Sequence, residues 1–294
     1  VGVGAGAVRE CLEALGGQQA APALDVIVPW DDSIPEVGAL QKDFPRVRFL
    51  AMGPIRTERT LASPGGQHEL FDRRRSAGLK VTSGEIVCIL EDRGIPDLDW
   101  AATVARLHAA LPYAVIGGAV ECGIDAPLNW AVYFCDYGRY QLPLVAGPRE
   151  YVTDVNISYK RAALERVRSL WEARYHETTV HWELVRQGET LWLTPDLVVR
   201  QRRRGLSVKS ILRERIEWAR LFAYTRVREA STLARVAYTL LAPLLPVVLF
   251  VRHARMQAEK RVHFMRFAAV SPFVALFLAA WSLGESIGYL SGRP

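Results

Sequence analysis

The chain has 294 residues, of which 50% are hydrophobic and 23% are charged. This composition provides a large buried core and excludes a disordered, collagen-like or small disulfide-stapled protein. The net charge of +6 conceals an asymmetry: residues 1–199 carry 20 Lys and Arg against 26 Asp and Glu, whereas residues 200–294 carry 17 against 5. A basic excess confined to the C-terminal third favours contact of that part with an anionic surface over general nucleic-acid binding.

The first residues, VGVGAGAV, match the residue spacing of a GxGxxA pattern. A dinucleotide site would need a strand before the glycines, for which there is no room, so we expect a clipped first strand and a turn instead. No charged region typical of a signal peptide is visible. The four cysteines lack metal or disulfide spacing, which favours reduced thiols and a cytosol-facing protein.

Up to about residue 200, short apolar runs alternate with amphipathic segments. The pattern predicts strands at 23–30, 47–52, 85–90, 113–121 and 190–195, and helices at 35–44, 68–84, 99–111, 160–171 and 179–188. Such an order is typical of an α/β fold with a Rossmann-related, mostly parallel sheet flanked by helices. Ligands of these sheets bind at the carboxyl ends of strands, where this sequence has Asp31-Asp32, Glu91-Asp92-Arg93 and Glu121.

The last ninety residues predict membrane contact. A basic amphipathic helix at 207–229 precedes uncharged segments of 16 residues (236–251) and 18 residues (267–284), the pair forming a hydrophobic helical hairpin. The first segment would be only about 24 Å long as a helix, short of the roughly 30 Å hydrocarbon core, and Pro243 and Pro246 interrupt it. Two spans, a re-entrant or monotopic pair, and a buried helix pair therefore stay open. Anionic lipids are the expected partner, and nucleic acid is not.

Four sequence blocks occur in a recognisable order: DVIVPWDDS, RRRSAGLKVTSGEIVCILEDRGIPDLDW, DVNISYKRAAL and YHETTVHWELVRQGETLWLTPDLVV. Together, over about residues 8–201, they resemble the family 2 glycosyltransferases of the GT-A fold. The resemblance implies a GT-A-like catalytic domain at 1–204, followed by a juxtamembrane helix (205–232) and two membrane-associated helices (233–294). It also implies a nucleotide-diphosphate sugar as donor and a saccharide or lipid-linked acceptor, such as a cell-envelope glycan.

The resemblance assigns donor-binding residues in the first two blocks. Asp31 and Asp32 stand where the family contacts the uracil or ribose of the donor, although an acidic turn cap before Pro35 is a nearly equal alternative. Arg75 stands where the family has an Arg that can pair with the donor diphosphate. A solvated helix face at 73–75 is the alternative for that arginine.

The end of the second block departs from the family. Where the family has Asp-x-Asp, which holds Mg²⁺ or Mn²⁺ against the donor phosphates, this chain has Glu91, Asp92 and Arg93. Glu91 and Asp92 could still bind a divalent metal, Arg93 could replace it, or catalysis could be lost. Gln201 stands where a terminal His is common, which weakens the case for a metal.

The fourth block contains the expected general base. By the resemblance Glu177 would deprotonate the acceptor hydroxyl, with His176 where an acidic residue is usual; a helix N-terminal charge is the alternative role. His176 and His181 are five residues apart, so they do not form the zinc-protease motif, which requires four. Glu177 and His181, four apart, can pair.

The third block and the segment before it contain polar and aromatic candidates. Asp154 and Asn156 resemble the acceptor-side segment, for which a strand-end turn is an equal alternative. An aromatic stripe at near-helical spacing is expected to pack in the core, with a platform for a sugar or lipid as the alternative; it comprises Trp130, Tyr133, Tyr137 and Tyr140. The sequence thus predicts a membrane-associated, cytoplasm-facing inverting glycosyltransferase. A non-catalytic, membrane-tethered binding or assembly module is the alternative.

Overall fold

The computed structural model describes residues 4–227 and 230–292, which form two compact units. The first unit comprises Val1–Thr57, Glu69–Gly123 and Tyr140–Arg202. The second comprises Glu58–His68, Ile124–Arg139 and Arg203–Pro294, so the predicted juxtamembrane and apolar helices lie in one unit together with two shorter segments.

Strands and helices alternate through the first unit, and helices make up the second. The strands are β1 (Ile27–Trp30), β2 (Arg48–Ala51), β3 (Ile86–Leu90), β4 (Gly94–Pro96), β5 (Val115–Cys122), β6 (Gly147–Pro148), β7 (Asn156–Lys160) and β8 (Leu191–Gln201). The α-helices are α1 (Ala5–Gly16), α2 (Pro64–Val81), α3 (Trp100–Ala110), α4 (Pro127–Asp136), α5 (Arg161–Arg166), α6 (Arg168–Trp171), α7 (Glu177–Arg186), α8 (Val208–Val227), α9 (Thr232–Leu241), α10 (Leu245–Lys260) and α11 (Phe264–Ser291). Short 3₁₀ segments cover Pro35–Lys42, Gly138–Tyr140 and Ala242–Leu244.

The predicted α/β class, with a sheet flanked by helices and a C-terminal pair of apolar helices, is confirmed. The expectation of a turn at the start of the chain was wrong for residues 5–8, which belong to α1, and the part of that expectation that falls on residues 1–3 lies outside the described residues. Val8 and Leu12, four residues apart on one helix face, pack against Val28 of β1 and Val37 of the following 3₁₀ segment. Burial of this face stabilises the helix despite its glycines.

The sheet pairing is mixed, in contrast to the mostly parallel sheet that the sequence predicted. β1 and β2 form a parallel pair, and a six-stranded sheet has the order β3-β7-β5-β8-β4, with β6 on β8. In that sheet only β5 and β8 are parallel, since β7 runs antiparallel to both of its neighbours and β4 and β6 run antiparallel to β8. A continuous apolar run indicates that a strand is buried on both faces, but it does not indicate whether the strand runs parallel or antiparallel to its neighbours. The predicted strand directions were wrong for this reason.

Asn156, at the start of β7, holds the central strands together. Its side-chain amide donates to the carbonyl oxygens of Ala119 on β5 (2.9 Å) and Leu197 on β8 (3.1 Å), and its oxygen accepts from Trp100 Nε1 (2.9 Å). The residue is fully buried. All three polar contacts of its side chain serve the fold, which favours the structural alternative, and a role of Asn156 on the acceptor side stays a prediction.

In the second unit, α11 packs along α8 through two glycines. A Cβ at Gly288 would lie 2.6 Å from the carbonyl oxygen of Arg220, and one at Gly284 would collide with the backbone at Ile216. Of the aromatic stripe, Trp130 and Tyr133 on α4 and Tyr140 in the following 3₁₀ segment are buried as expected, whereas Tyr137 is only partly buried. Two helical segments, Leu233–Lys260 and Phe264–Ser291, have the length and mean hydropathy (1.9 and 1.8) to cross a membrane, which alone is weak evidence.

The close approach of α8 and α11 gives a stability prediction. Gly288→Ala should destabilise the protein by about 1–3 kcal/mol, because the added methyl group has no space against the α8 backbone. Chemical denaturation in mild detergent measures this change. Gly6→Ala, in a helix where nothing lies within 4 Å of the new methyl, is the control and should be neutral or stabilising. Equal stability of Gly288→Ala and the wild type would contradict the observed packing.

Candidate active site

The centre of the candidate site is Arg75 on α2, which gathers three carboxylates. Its guanidinium lies 2.5 Å from Asp154 Oδ2, 3.5 Å from Asp72 Oδ1 and 3.9 Å from Glu91 Oε1. Burial alone would lower the pKa of Arg75, but the charges of Asp154, Glu91 and Asp72 raise it above its usual value. Arg75 is therefore a fixed cation, and it brings together residues from separate sequence blocks.

The helix geometry of α2 separates three consecutive arginines. Arg74 is buried and pairs with Asp31 (Nε–Oδ2 2.6 Å), Arg75 enters the carboxylate cluster, and Arg73 pairs with Glu69 one turn earlier (2.8 Å). Successive residues on a helix point about 100° apart, which explains the three destinations. The alternative of one solvated basic face is thus wrong.

Glu177, the first residue of α7, lies beside Asp154. Its Oε1 accepts a hydrogen bond from the backbone N–H of Asp154 (3.2 Å). Burial, followed by repulsion from Asp154, raises the pKa of Glu177 well above its usual value, although Arg75 and that hydrogen bond oppose the rise. A carboxyl group with a raised pKa accepts a proton more readily, which suits a general base.

A buried chain of hydrogen bonds lies behind Glu177. The Tyr159 hydroxyl is 2.5 Å from the Tyr175 hydroxyl and 2.7 Å from His181 Nε2, and His181 Nδ1 is 4.0 Å from Glu177 Oε1. Burial lowers the pKa of His181 to about 4, so its ring is neutral. If Tyr175 donates to Tyr159 and Tyr159 to Nε2, the ring hydrogen is on Nδ1, facing the Glu177 carboxylate.

Sequence reasoning anticipated that Glu177 and His181 can pair, but it missed both tyrosines. Tyr175 stands two residues before Glu177, and Tyr159 lies in the NISYK segment, so each lies within a block that was singled out. Neither position carries a spacing that distinguishes it from a core tyrosine. His176 is exposed at the start of α7, where its Nδ1 lies 3.0 Å from the Thr179 hydroxyl.

Glu91, just after β3, is held by two neighbours. Gln201 Nε2 donates to its Oε2 (2.7 Å), and Arg75 lies near its Oε1. Burial, and then the charge of Asp154, raises the pKa of Glu91, against the opposing charges of Arg75 and Arg93. Gln201 thus orients the carboxylate of Glu91.

A divalent metal held by Glu91 and Asp92 fits these surroundings poorly. Glu91 already contacts an amide donor and a guanidinium, and the charge of Arg93 also acts on it. Among the described residues, no group of three His, Cys, Asp or Glu side chains could hold a metal ion. Hard cations need several oxygen ligands and are repelled by adjacent guanidinium groups.

The remaining donor-side candidates divide into a buried and an exposed carboxylate. Asp31 Oδ1 accepts from the backbone N–H of Ser33 (2.9 Å), and Oδ2 accepts from Arg74. Burial would raise the pKa of Asp31, but the hydrogen bonds from Arg74 and Ser33 hold it below its usual range. This is the turn-capping role named as the alternative. Asp32 is exposed, and a donor contact there stays a prediction.

A cavity of about 540 Å³ lies in the first unit between β1 and β3. Ligand pockets are commonly of about this size. Its walls are mainly apolar, and Arg74, Arg75 and Asp92 also line it, so it shares a residue with the carboxylate cluster. Cys11 and Cys88 line it as well, and Cys11 is buried, which is the main cause that raises the pKa of its thiol to about 12.

The raised pKa of Glu177 predicts a pH-dependent stability. The folded state binds the proton more tightly than the unfolded state, whose glutamate pKa is about 4.3, so this group costs stability as the pH rises above that value. Glu177→Gln should therefore gain stability relative to the wild type between pH 5 and pH 8, as measured by urea midpoints. Glu183→Gln is the control. The hydrogen bond from Arg186 lowers the pKa of Glu183 to about 2, so this carboxylate is ionised in both the folded and the unfolded state over that pH range, and its replacement should show no such pH trend.

No protein-family model matches the sequence, and no curated protein matches it significantly. Solved structures with similarity include S. aureus TarS 1–349 in complex with UDP, at 13% identity and a TM-score of 0.46, covering 97% of this chain and 88% of that chain. The same protein in complex with UDP-GlcNAc gives 12% identity with the same TM-score and coverage. Similarity at this level carries no argument about the chemistry of this chain.

Proposed function

We propose that this protein is a membrane-associated inverting glycosyltransferase, which moves a sugar from a nucleotide-diphosphate donor to the hydroxyl of a saccharide or lipid-linked acceptor. The observation that carries the proposal is the convergence of Arg75, Glu91, Asp154 and Glu177 in one cluster. These residues come from three of the sequence blocks that resemble family 2 glycosyltransferases, and nothing in the local sequence requires that they meet.

Glu177 is the proposed general base. Its carboxylate takes the proton of the acceptor hydroxyl, the hydroxyl oxygen forms a bond to the anomeric carbon of the donor, and the bond from that carbon to the diphosphate oxygen breaks. The electron pair leaves with the diphosphate, and the configuration at the anomeric carbon is inverted. His181, which bonds to Tyr159 and lies 4.0 Å from Glu177, is assigned as a positioning residue: in the tautomer with its hydrogen on Nδ1, the ring favours the ionised form of Glu177 that accepts the proton.

Arg93 is the proposed counter-charge for the leaving diphosphate. Within residues 4–227 and 230–292, its guanidinium has no ion-pair partner, whereas Arg75 is already committed to three carboxylates. A guanidinium can bind two phosphate oxygens at once and stabilises the charge that develops in the transition state. The poor fit of a metal at Glu91 and Asp92 supports the same assignment.

The proposed base gives a prediction for catalysis. Glu177→Gln should lower turnover by about 10²- to 10⁴-fold with little change in donor affinity, since Gln retains the shape of Glu but accepts no proton. The assay measures nucleotide diphosphate release, with the donor chosen from a nucleotide-sugar panel by thermal shift. Glu183→Gln, on the exposed face of the same helix, should keep wild-type turnover. Full activity of Glu177→Gln would remove this residue from the mechanism.

The counter-charge gives a second prediction. A chelator should leave activity largely intact, and Arg93→Ala should lower turnover by about 10²- to 10³-fold, in line with the several kcal/mol that a nearby charge contributes. Arg93→Asp should make the residual activity respond to Mg²⁺ or Mn²⁺. Arg106→Ala, at an exposed position on α3, is the control. Loss of activity with chelator would favour a metal at Glu91 and Asp92, and no activity with any donor would favour the non-catalytic module.

A further inference from the structure

We infer that α9, α10 and α11 lie in the plane of an anionic lipid surface on one side of the membrane, and that neither apolar segment crosses it. This inference rests on the membrane association in the proposed function and is independent of the catalytic residues. It selects the monotopic arrangement among the alternatives that the sequence left open.

Both ends of α11 are attached to other helices of the same unit, α4 near its start and α8 near its end. Near its start, Phe267 packs edge-on against Phe134 of α4, with ring centroids 5.3 Å apart, and Arg266 pairs with Asp125 before α4 (3.1 Å). Near its end, the Tyr289 hydroxyl accepts from Arg226 of α8 (3.1 Å). These contacts are about 30 Å apart along the helix, which is the thickness of a bilayer core.

The helix α8 cannot follow α11 into hydrocarbon. It carries Arg213, Glu217, Arg220 and Arg226. Each charged side chain at the centre of a bilayer costs about 2.5–3.5 kcal/mol on membrane-insertion scales, which give the lowest values. It is also joined to α4 by two hydrogen bonds from Arg215 to Asp136 (2.5 and 2.8 Å). Because α11 packs on α8 over Gly284 and Gly288, a vertical α11 would draw these charges into the membrane.

The segment α9–α10 runs beside α11 and is attached at the same two places. At its beginning, Arg235 donates to the carbonyl oxygens of Tyr289 and Leu290 at the end of α11 (both 2.5 Å). At its other end, Gln257 is buried. The neighbouring Met256 packs so closely on Gly138, just after α4, that a Cβ at Gly138 would lie 2.8 Å from the Met256 methyl group. The whole helical layer therefore lies along α4 and α8.

The exposed side of this layer is apolar, although exposed helix faces of soluble proteins are usually polar. Only 6% of the most apolar window in Leu233–Lys260 is buried. On α11 the exposed large side chains recur along one stripe, at Met265, Leu276, Leu283 and Leu290. Exposed large side chains on the other segment are Leu233, Val236, Leu240, Leu241, Leu244, Val247, Val248 and Val251.

The charges beside this apolar face indicate what covers it. Arg252, Arg255 and Arg261 are exposed around the α10–α11 turn and make no ion pair within the part of the chain that the structure describes. Arginines next to an apolar helix face suit a bilayer, where leucines enter the acyl boundary and guanidinium groups meet phosphate.

The test compares the two ends of α9–α10 in the full-length chain. The four native cysteines are first replaced by Ala, because Cys88 is exposed and would itself react. Ser231→Cys or Arg261→Cys then supplies a single cysteine, and a membrane-impermeant maleimide is added to intact spheroplasts and then to lysed ones. If the layer lies on one leaflet, both cysteines behave alike: both react before lysis or both only after it. If the segment crosses the membrane, one site reacts before lysis and the other only after it, which would overturn the inference.

A second measurement tests the lipid partner without using activity. The purified protein should float with vesicles containing about one quarter phosphatidylglycerol and bind at least tenfold less to pure phosphatidylcholine. Leu283→Asp should abolish flotation, whereas Val145→Asp, at an exposed apolar position of the first unit, should not. A Leu283→Asp variant that still floats, or a wild-type protein that forms a dimer and ignores vesicles, would overturn the inference. An inactive protein that passes both tests counts against the glycosyltransferase proposal alone.

Discussion

The largely buried guanidinium of Arg75 is the group on which the candidate site depends. A charge removed from water is stable only when opposite charges and hydrogen bonds replace its hydration, and here Asp154, Glu91 and Asp72 supply them. The cluster has more carboxylates than cations: three surround the guanidinium of Arg75, and Glu177 beside Asp154 adds a fourth. This excess, together with burial, raises the pKa values of Glu91 and Glu177 and gives the site its capacity to accept protons.

The rigid parts of the first unit keep this cluster in place. Asn156 links two central strands through its amide, and Asp154 precedes it by two residues, so the fixed start of β7 positions the carboxylate that contacts Arg75. On the other side, Tyr159 follows on the same strand and bonds to His181 of α7. One strand thus supports both the anionic partner of Arg75 and the helix that carries the proposed base.

The second unit follows a different constraint, which is the close contact of α8 with α11. Glycines at 284 and 288 allow the backbones to approach, and this contact joins the most apolar helix of the chain to a strongly charged one. Neither helix alone indicates how the unit meets a membrane. In the arrangement that we infer, this pairing keeps α11 from crossing the membrane, because crossing would bury the charges of α8, and a lipid surface covers the exposed apolar face.

The sequence by itself determined the alternation of strands and helices, the apolar C-terminal pair and the identity of Arg75, Glu91, Asp154 and Glu177 as candidates, because periodicity and block order are local properties. Only the tertiary structure decided strand direction, the helical start at Ala5 and the burial of Asn156. It also added Tyr159, Tyr175 and the bond from Gln201 to Glu91. These features depend on contacts between residues far apart in the chain. Sequence reasoning misses them because the role of a buried polar group depends on its hydrogen-bond partner, which the local sequence does not identify.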